Sequence, residues 1–158
     1  MFIFTFLQNK KFFYYVIMYR NILSVFLGVI ISIIEILYFI KIIKRWFLKI
    51  KFIPLNKLKY IFFKAPTEFF LILIFFYAFS ALLGGLITAF FVKNAKIAYA
   101  ILTGFILFLI ALFHIFFYPL PLWFKIIILP LFLPFSYLGG YFIEIIQKKI
   151  NKIKLIRK

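Results

Sequence analysis

Cysteine is absent from the 158 residues, which excludes disulfides, thiolate nucleophiles and thiolate metal sites together. Acidic side chains are nearly absent too, three against twenty basic ones, and there is one histidine. Metal cages draw on three or four such ligands converging, so a dedicated metal site is not expected. No carboxylate pair is set up for acid–base chemistry, and no nucleophile stands with a base and an orienting group. The six glycines do not form a phosphate-binding loop. The sequence therefore nominates no catalytic residue, cofactor site or metal ligand, and points away from an enzyme.

Charge is missing over long stretches. Phe69–Val92 runs twenty-four residues without a charge, and Ile97–Tyr118 follows after only Lys93-Asn94-Ala95-Lys96. An α-helix needs ~20 apolar residues to cross ~30 Å of hydrocarbon, so these two runs predict a tight transmembrane hairpin. A hydrophobic fraction of 68% and a mean hydropathy of +1.18 lie far outside the ~45–50% apolar content of soluble domains. A domain of this size has too little interior to hide that much apolar surface from water.

The expected fold class is all-α: a polytopic membrane protein with four transmembrane helices and a basic amphipathic segment after the first. Residues 1–20 mix aromatics with Lys10, Lys11 and Arg20 and read as an N-terminal arm, with the true start possibly at Met18. No signal-peptide cleavage pattern follows them. Helix one is expected at 21–40, interrupted in polarity only by Ser24, Ser32 and Glu35. Residues 41–66 carry eight basic side chains alternating with Trp46, Phe47, Ile50 and Phe52. That alternation reads either as a helix in the membrane interface, broken at Pro54, or as a basic loop. Helix two is expected at 68–92 with Thr67 as N-cap and Glu68 in its first turn. Helix three is expected at 97–118. Helix four is expected at 122–147, kinked or locally opened at Pro130 and Pro134, and followed by a basic tail, 148–158, along the headgroups.

Small residues mark the expected helix contacts. Ser80, Gly84 and Thr88 recur every four residues, and Ala81, Gly85 and Ala89 repeat the pattern one position round. Small residues at this spacing let helix backbones approach closely in lipid. Ala100, Thr103 and Gly104 offer a matching patch on helix three, so helices two and three are expected to pack closest. Ser136, Gly139 and Gly140 give helix four a thin face of its own.

Of the ionisable groups within the spans, three are candidates for more than an interfacial role: Glu35, His114 and Glu144. Such groups are costly in a membrane and therefore candidate functional residues. Glu35 and His114 lie toward the same side in a four-span topology, where a pair of this kind binds a cation or relays a proton. The plainer reading lets each reach the interface or a nearby lysine. Glu144 has Lys148 four residues on, in the favourable orientation for a helix ion pair.

The stretch Leu83-Gly84-Gly85-Leu86-Ile87-Thr88-Ala89, the turn Pro119-Leu120-Pro121-Leu122-Trp123-Phe124 and Leu138-Gly139-Gly140 together resemble a family of small bacterial four-helix integral membrane proteins. The resemblance spans about residues 66–143, and the proline-rich turn is its most specific element. It implies an architecture and a bacterial inner membrane, and no activity. The basic 41–66 segment departs from that pattern.

Seventeen of the twenty basic residues are lysine, suited to topology signals and anionic headgroups more than to nucleic acid. The termini and the 93–96 loop carry eleven basic residues, against eight in 41–66 plus Lys125, which weakly favours both termini in the cytoplasm. The expected role is a non-enzymatic accessory or oligomer-forming subunit that acts through helix packing at Ser80, Gly84, Thr88, Gly139 and Gly140, with the bilayer and either further copies of itself or another membrane protein as partners. The alternatives are a small oligomeric transporter or channel, and an organelle-encoded respiratory subunit suggested by the Phe-, Ile-, Tyr- and Lys-rich composition.

Overall fold

The computed structural model describes residues 2–48, 66–117 and 120–156. They form four helices: α1 (Phe2–Leu48), α2 (Thr67–Phe91), α3 (Lys96–Phe117) and α4 (Leu122–Ile156). Each contains a segment long and apolar enough to cross a membrane, Tyr15–Ile42, Thr67–Phe91, Lys96–Phe117 and Leu122–Leu155. The chain is an all-α, multi-pass membrane protein, and no strand occurs among the described residues.

Two helices run longer than the sequence suggested. From Phe2 onward the expected N-terminal arm is continuous with helix one, and α1 carries on to Leu48 into the basic segment. No proline interrupts residues 2–48, so nothing in the backbone ends the helix there. Forty-seven residues at ~1.5 Å per residue reach about 70 Å, more than twice the hydrocarbon thickness. The tail expected along the headgroups instead prolongs α4 to Ile156, since no glycine or proline follows Gly140. The proposed break at Pro54 and the Tyr118–Pro119 part of the turn lie outside the described residues.

Helix caps also differ in detail. Pro66, extended at φ −64° and ψ 157°, is the N-cap of α2 in place of Thr67, and no side chain caps it. The Phe69 N–H reaches the Pro66 carbonyl at 3.1 Å. Glu68 stands in the first turn, as expected.

Pro130 and Pro134 lie inside α4, which stays helical through both. They are four residues apart and both exposed, so the carbonyls they leave without donors share one outward face. The inward face, Ile128, Phe132 and Ser136, is buried and undisturbed.

Interhelical pairings set the directions. Ser24 and Ser32 on α1 meet Thr88 and Ser80, which makes α1 and α2 antiparallel. Phe70 meets Phe124 and Tyr77 meets Phe132, so α2 and α4 run parallel. The most extensive contact is α2 with α4, followed by α3 with α4 and α1 with α2. The α2–α3 contact, expected to be the closest, is smaller than all three. The outward surface is apolar and aromatic, with Phe75, Phe90, Phe113, Phe116 and Ile126 among its most exposed members.

The hairpin loop closes in four residues because Ala95 takes a left-handed backbone conformation, φ 54°. That conformation costs a residue bearing a Cβ about 1–2 kcal/mol, and glycine almost nothing. Lys96 then turns back to cap α2, its ammonium donating to the carbonyls of Val92 (2.7 Å) and Ala89 (3.1 Å). Ala95→Gly is expected to raise resistance to unfolding by up to about 1 kcal/mol, and Ala95→Val to lower it. Thermal or detergent-induced unfolding of the purified chain checks both signs.

Candidate functional site

Every small residue singled out on α2, α3 and α4 is buried within the bundle. Ser80, Thr88 and Ser136 have no exposed surface, and Gly84, Gly85, Gly104, Gly139 and Gly140 are buried as well. The two stripes of α2 serve different partners. Ser80, Gly84 and Thr88 face α1, whereas Gly85 faces α4.

On the α1 side, the hydroxyls of Ser32 and Ser80 exchange hydrogen bonds with each other's backbone. Ser80 Oγ donates to the Ser32 carbonyl at 2.7 Å, and Ser32 Oγ to the Ser80 carbonyl at 3.0 Å. Ser32 Oγ also lies 2.9 Å from the Gly28 carbonyl, so its one proton is shared. Two turns on, Thr88 and Thr103 are joined by a 2.7 Å hydroxyl contact that ties α2 to α3. Each hydroxyl also has a carbonyl in reach, Tyr99 for Thr103 at 3.1 Å and Ser24 for Thr88 at 3.4 Å, so two protons are shared among three contacts and either hydroxyl can donate to the other. In hydrocarbon no water competes for these groups, so each hydroxyl must find a carbonyl inside the protein.

On the α4 side, the contact is backbone against backbone. A Cβ added at Gly85 would collide with the Ser136 carbonyl, and one at Gly139 with the Leu82 carbonyl and, at 2.7 Å, the Leu86 nitrogen. Gly104 of α3 closes over the Ser136 side chain and lies 2.8 Å, measured from such a Cβ, from the Phe132 carbonyl. Ser136 is therefore wedged between α2 and α3, its hydroxyl turned to the Leu133 carbonyl at 3.0 Å. Gly140 receives the methyl of Ala100.

Sequence reading missed the α1 half of this arrangement. Ser24, Gly28 and Ser32 are buried on one face, and a Cβ at Gly28 would meet Thr88 Oγ1 and the Gly84 carbonyl. The signal was present, since 24, 28 and 32 repeat the spacing of 80, 84 and 88. Asn21 extends the same face, 3% exposed, with Oδ1 lacking a partner among the described residues.

Glu35 and His114 are not brought together as a site. Glu35 continues the α1 stripe that faces α2, half-buried, with Oε2 buried and without a hydrogen-bond partner among the described residues. His114 lines a cavity of about 130 Å³ together with Ile33, Ile36 and Ile40 of α1, Leu107 of α3 and Phe132 of α4. Those α1 residues lie about 100° (Ile36) to about 160° (Ile33) round the helix from Glu35. Glu144 makes the expected ion pair, 2.7 Å from Lys148, at the surface, where such pairs contribute little.

Among the described residues no group of three or more His, Cys, Asp or Glu converges on a point that would hold a metal ion. What the arrangement does chemically is exclude lipid from a seam where backbones touch, and satisfy hydroxyls across it.

Gly85→Ala and Gly139→Ala are each expected to cost about 1–3 kcal/mol through overpacking against backbone. Ser80→Ala is expected to cost about 0.6 kcal/mol, the average for hydrogen bonds between membrane helices. Reversible unfolding in mixed micelles measures the order, and a larger loss for Ser80→Ala than for Gly85→Ala would refute it. Compared with protein-family models, curated proteins and solved structures, the chain has no match in any of the three, and the site alone carries the functional argument.

Proposed function

We propose that the chain is a non-enzymatic accessory or oligomer-forming subunit of a bacterial inner membrane, with both termini in the cytoplasm. The observation that carries this reading is the pair of helical extensions on one side of the bundle. The Val92–Lys96 end of the hairpin sits near the level of Ser24 of α1, which meets Thr88, and of Gly140 of α4, which lies against Ile97 and Ala100. Beyond that level, residues 2–19 of α1 and 148–156 of α4 continue as helix. A bundle that only filled the bilayer has no use for them. They carry Lys10, Lys11, Lys148, Lys149, Lys152 and Lys154, a distribution that suits the cytoplasmic face and its anionic lipid.

The glycine faces are not the assembly surface in this reading, because the bundle already uses them. Contact with a partner falls to the extensions and to the outward wall. Gentle-detergent purification of the tagged chain, with native mass and co-purifying proteins read together, tests it. A stoichiometric complex or a defined homo-oligomer, lost when the chain is cut before Lys148, is the expected result. Gly84→Leu is expected to unfold the monomer instead of dissociating a folded one. A folded monomer with no partner at any detergent concentration would sink the subunit reading. Ion flux in proteoliposomes that Glu35→Gln abolishes would replace it with a transporter.

A further inference from the structure

The cavity at His114 lies where the backbones of α1 and α4 stay apart. Among the described residues no Cα of one comes within 8 Å of a Cα of the other, and α2 and α3 span the gap between them. Its mouth lies between α1 and α3, the thinnest of the interhelical contacts, where the lining residues Leu37 and Ile110 are 62% and 42% exposed. A second cavity of about 190 Å³ lies on the same seam, one membrane half away, between Ile22 and Phe26 of α1 and Tyr99 and Leu102 of α3. The seam is thus hollow twice along its length.

The lining decides the occupant. Branched aliphatic and aromatic side chains make up most of the His114 cavity, and apolar cavities of this size stay dry. A dehydrated ion or polar solute would lose its partners there. A transmembrane helix, ~10 Å across, is too wide to enter. A single hydrocarbon chain meets neither objection, and it is the material outside the mouth.

The end of the cavity adds a preference. His114 stands one turn from the end of α3 at Phe117. Lys41 and Lys125 directly follow the lining residues Ile40 and Phe124. At this end of the bundle the described acidic side chains are Glu68, exposed on the first turn of α2, and Glu35, which does not line the cavity and sits deeper than Lys41, on the α1 stripe that faces α2. Basic groups at headgroup depth favour an anionic lipid.

We infer that the His114 cavity is a binding site for one acyl chain of an anionic phospholipid, whose phosphate lies at His114, Lys41 and Lys125. The site is independent of whether the chain acts as a subunit.

Trp123 reports on it directly. Its ring packs against Phe70 at 5.9 Å and Phe124 at 6.2 Å, and Phe124 lines the cavity. In a Trp46→Phe background, the full chain is reconstituted into phosphatidylcholine vesicles containing either brominated phosphatidylglycerol or brominated phosphatidylcholine. Half-maximal quenching of Trp123 is expected at a roughly fivefold lower fraction of the anionic lipid. Ala111→Phe, or Ile36→Phe at the cavity wall should the first fail to fold, fills the space and brings the two lipids to the same weak quenching. Circular dichroism and size-exclusion chromatography establish which variant is folded. His114→Gln leaves the cavity open and is expected to keep the quenching while losing most of the preference. Equal quenching by the two lipids in the parent chain, or quenching that persists in a folded, filled variant, overturns the site and leaves only annular lipid.

Discussion

The fold depends on how closely three backbones approach at Ser136. Gly85 of α2 and Gly104 of α3 leave no room for a Cβ against it, and Gly139 repeats the contact against Leu82 and Leu86. In hydrocarbon the helices gain nothing from burying apolar surface, because lipid tails are as apolar as leucine. What remains is dispersion over a close contact and hydrogen bonds that water does not contest. Glycine supplies the first by letting main chains touch, and serine and threonine supply the second. The buried polar residues Ser24, Ser32, Ser80, Thr88, Thr103 and Ser136 all lie on these seams.

This division of labour explains why α2 is central. Its two small-residue ridges point to different neighbours, hydroxyls toward α1 and Gly85 toward α4. A helix with one such ridge could pair once, whereas α2 holds two partners and touches α3 through Thr88 as well. The α1–α3 seam has no comparable ridge. Its facing residues are Ile22, Val25, Phe26 and Val29 against Tyr99, Leu102 and Ile106, side chains too large and too irregular to close on one another. The cavities follow from that difference in residue size.

Ionisable groups fit the same logic of location. Glu144 and Lys148 pair at the surface, and Lys96 spends its charge on the C-terminal carbonyls of α2, where the helix dipole favours a cation. Glu35 differs, with a carboxylate oxygen buried beyond the reach of any donor among the described residues. Its position one turn past the Ser32–Ser80 exchange makes it part of the α1–α2 seam and not of the cavity.

The four spans were legible in the sequence because a run such as Phe69–Val92 carries its own evidence: length, apolarity and missing charge are local properties. The small-residue ridges were legible too, since 80/84/88 and 81/85/89 follow from the helical period alone. The Glu144–Lys148 pair needed only an i, i+4 spacing. Continuity of α1 through Arg20 and of α4 through Lys148 was misjudged, because composition changes there while nothing in the backbone stops a helix. Which ridge meets which helix was settled only by tertiary structure. Ridge spacing states that a face is thin, but the partner depends on how four helices share space, and that turned the expected α2–α3 pairing into α2–α4 and α2–α1. The same global arrangement separated Glu35 from His114 and opened the cavity beside the histidine, because a span fixes a residue's depth and only packing fixes its direction.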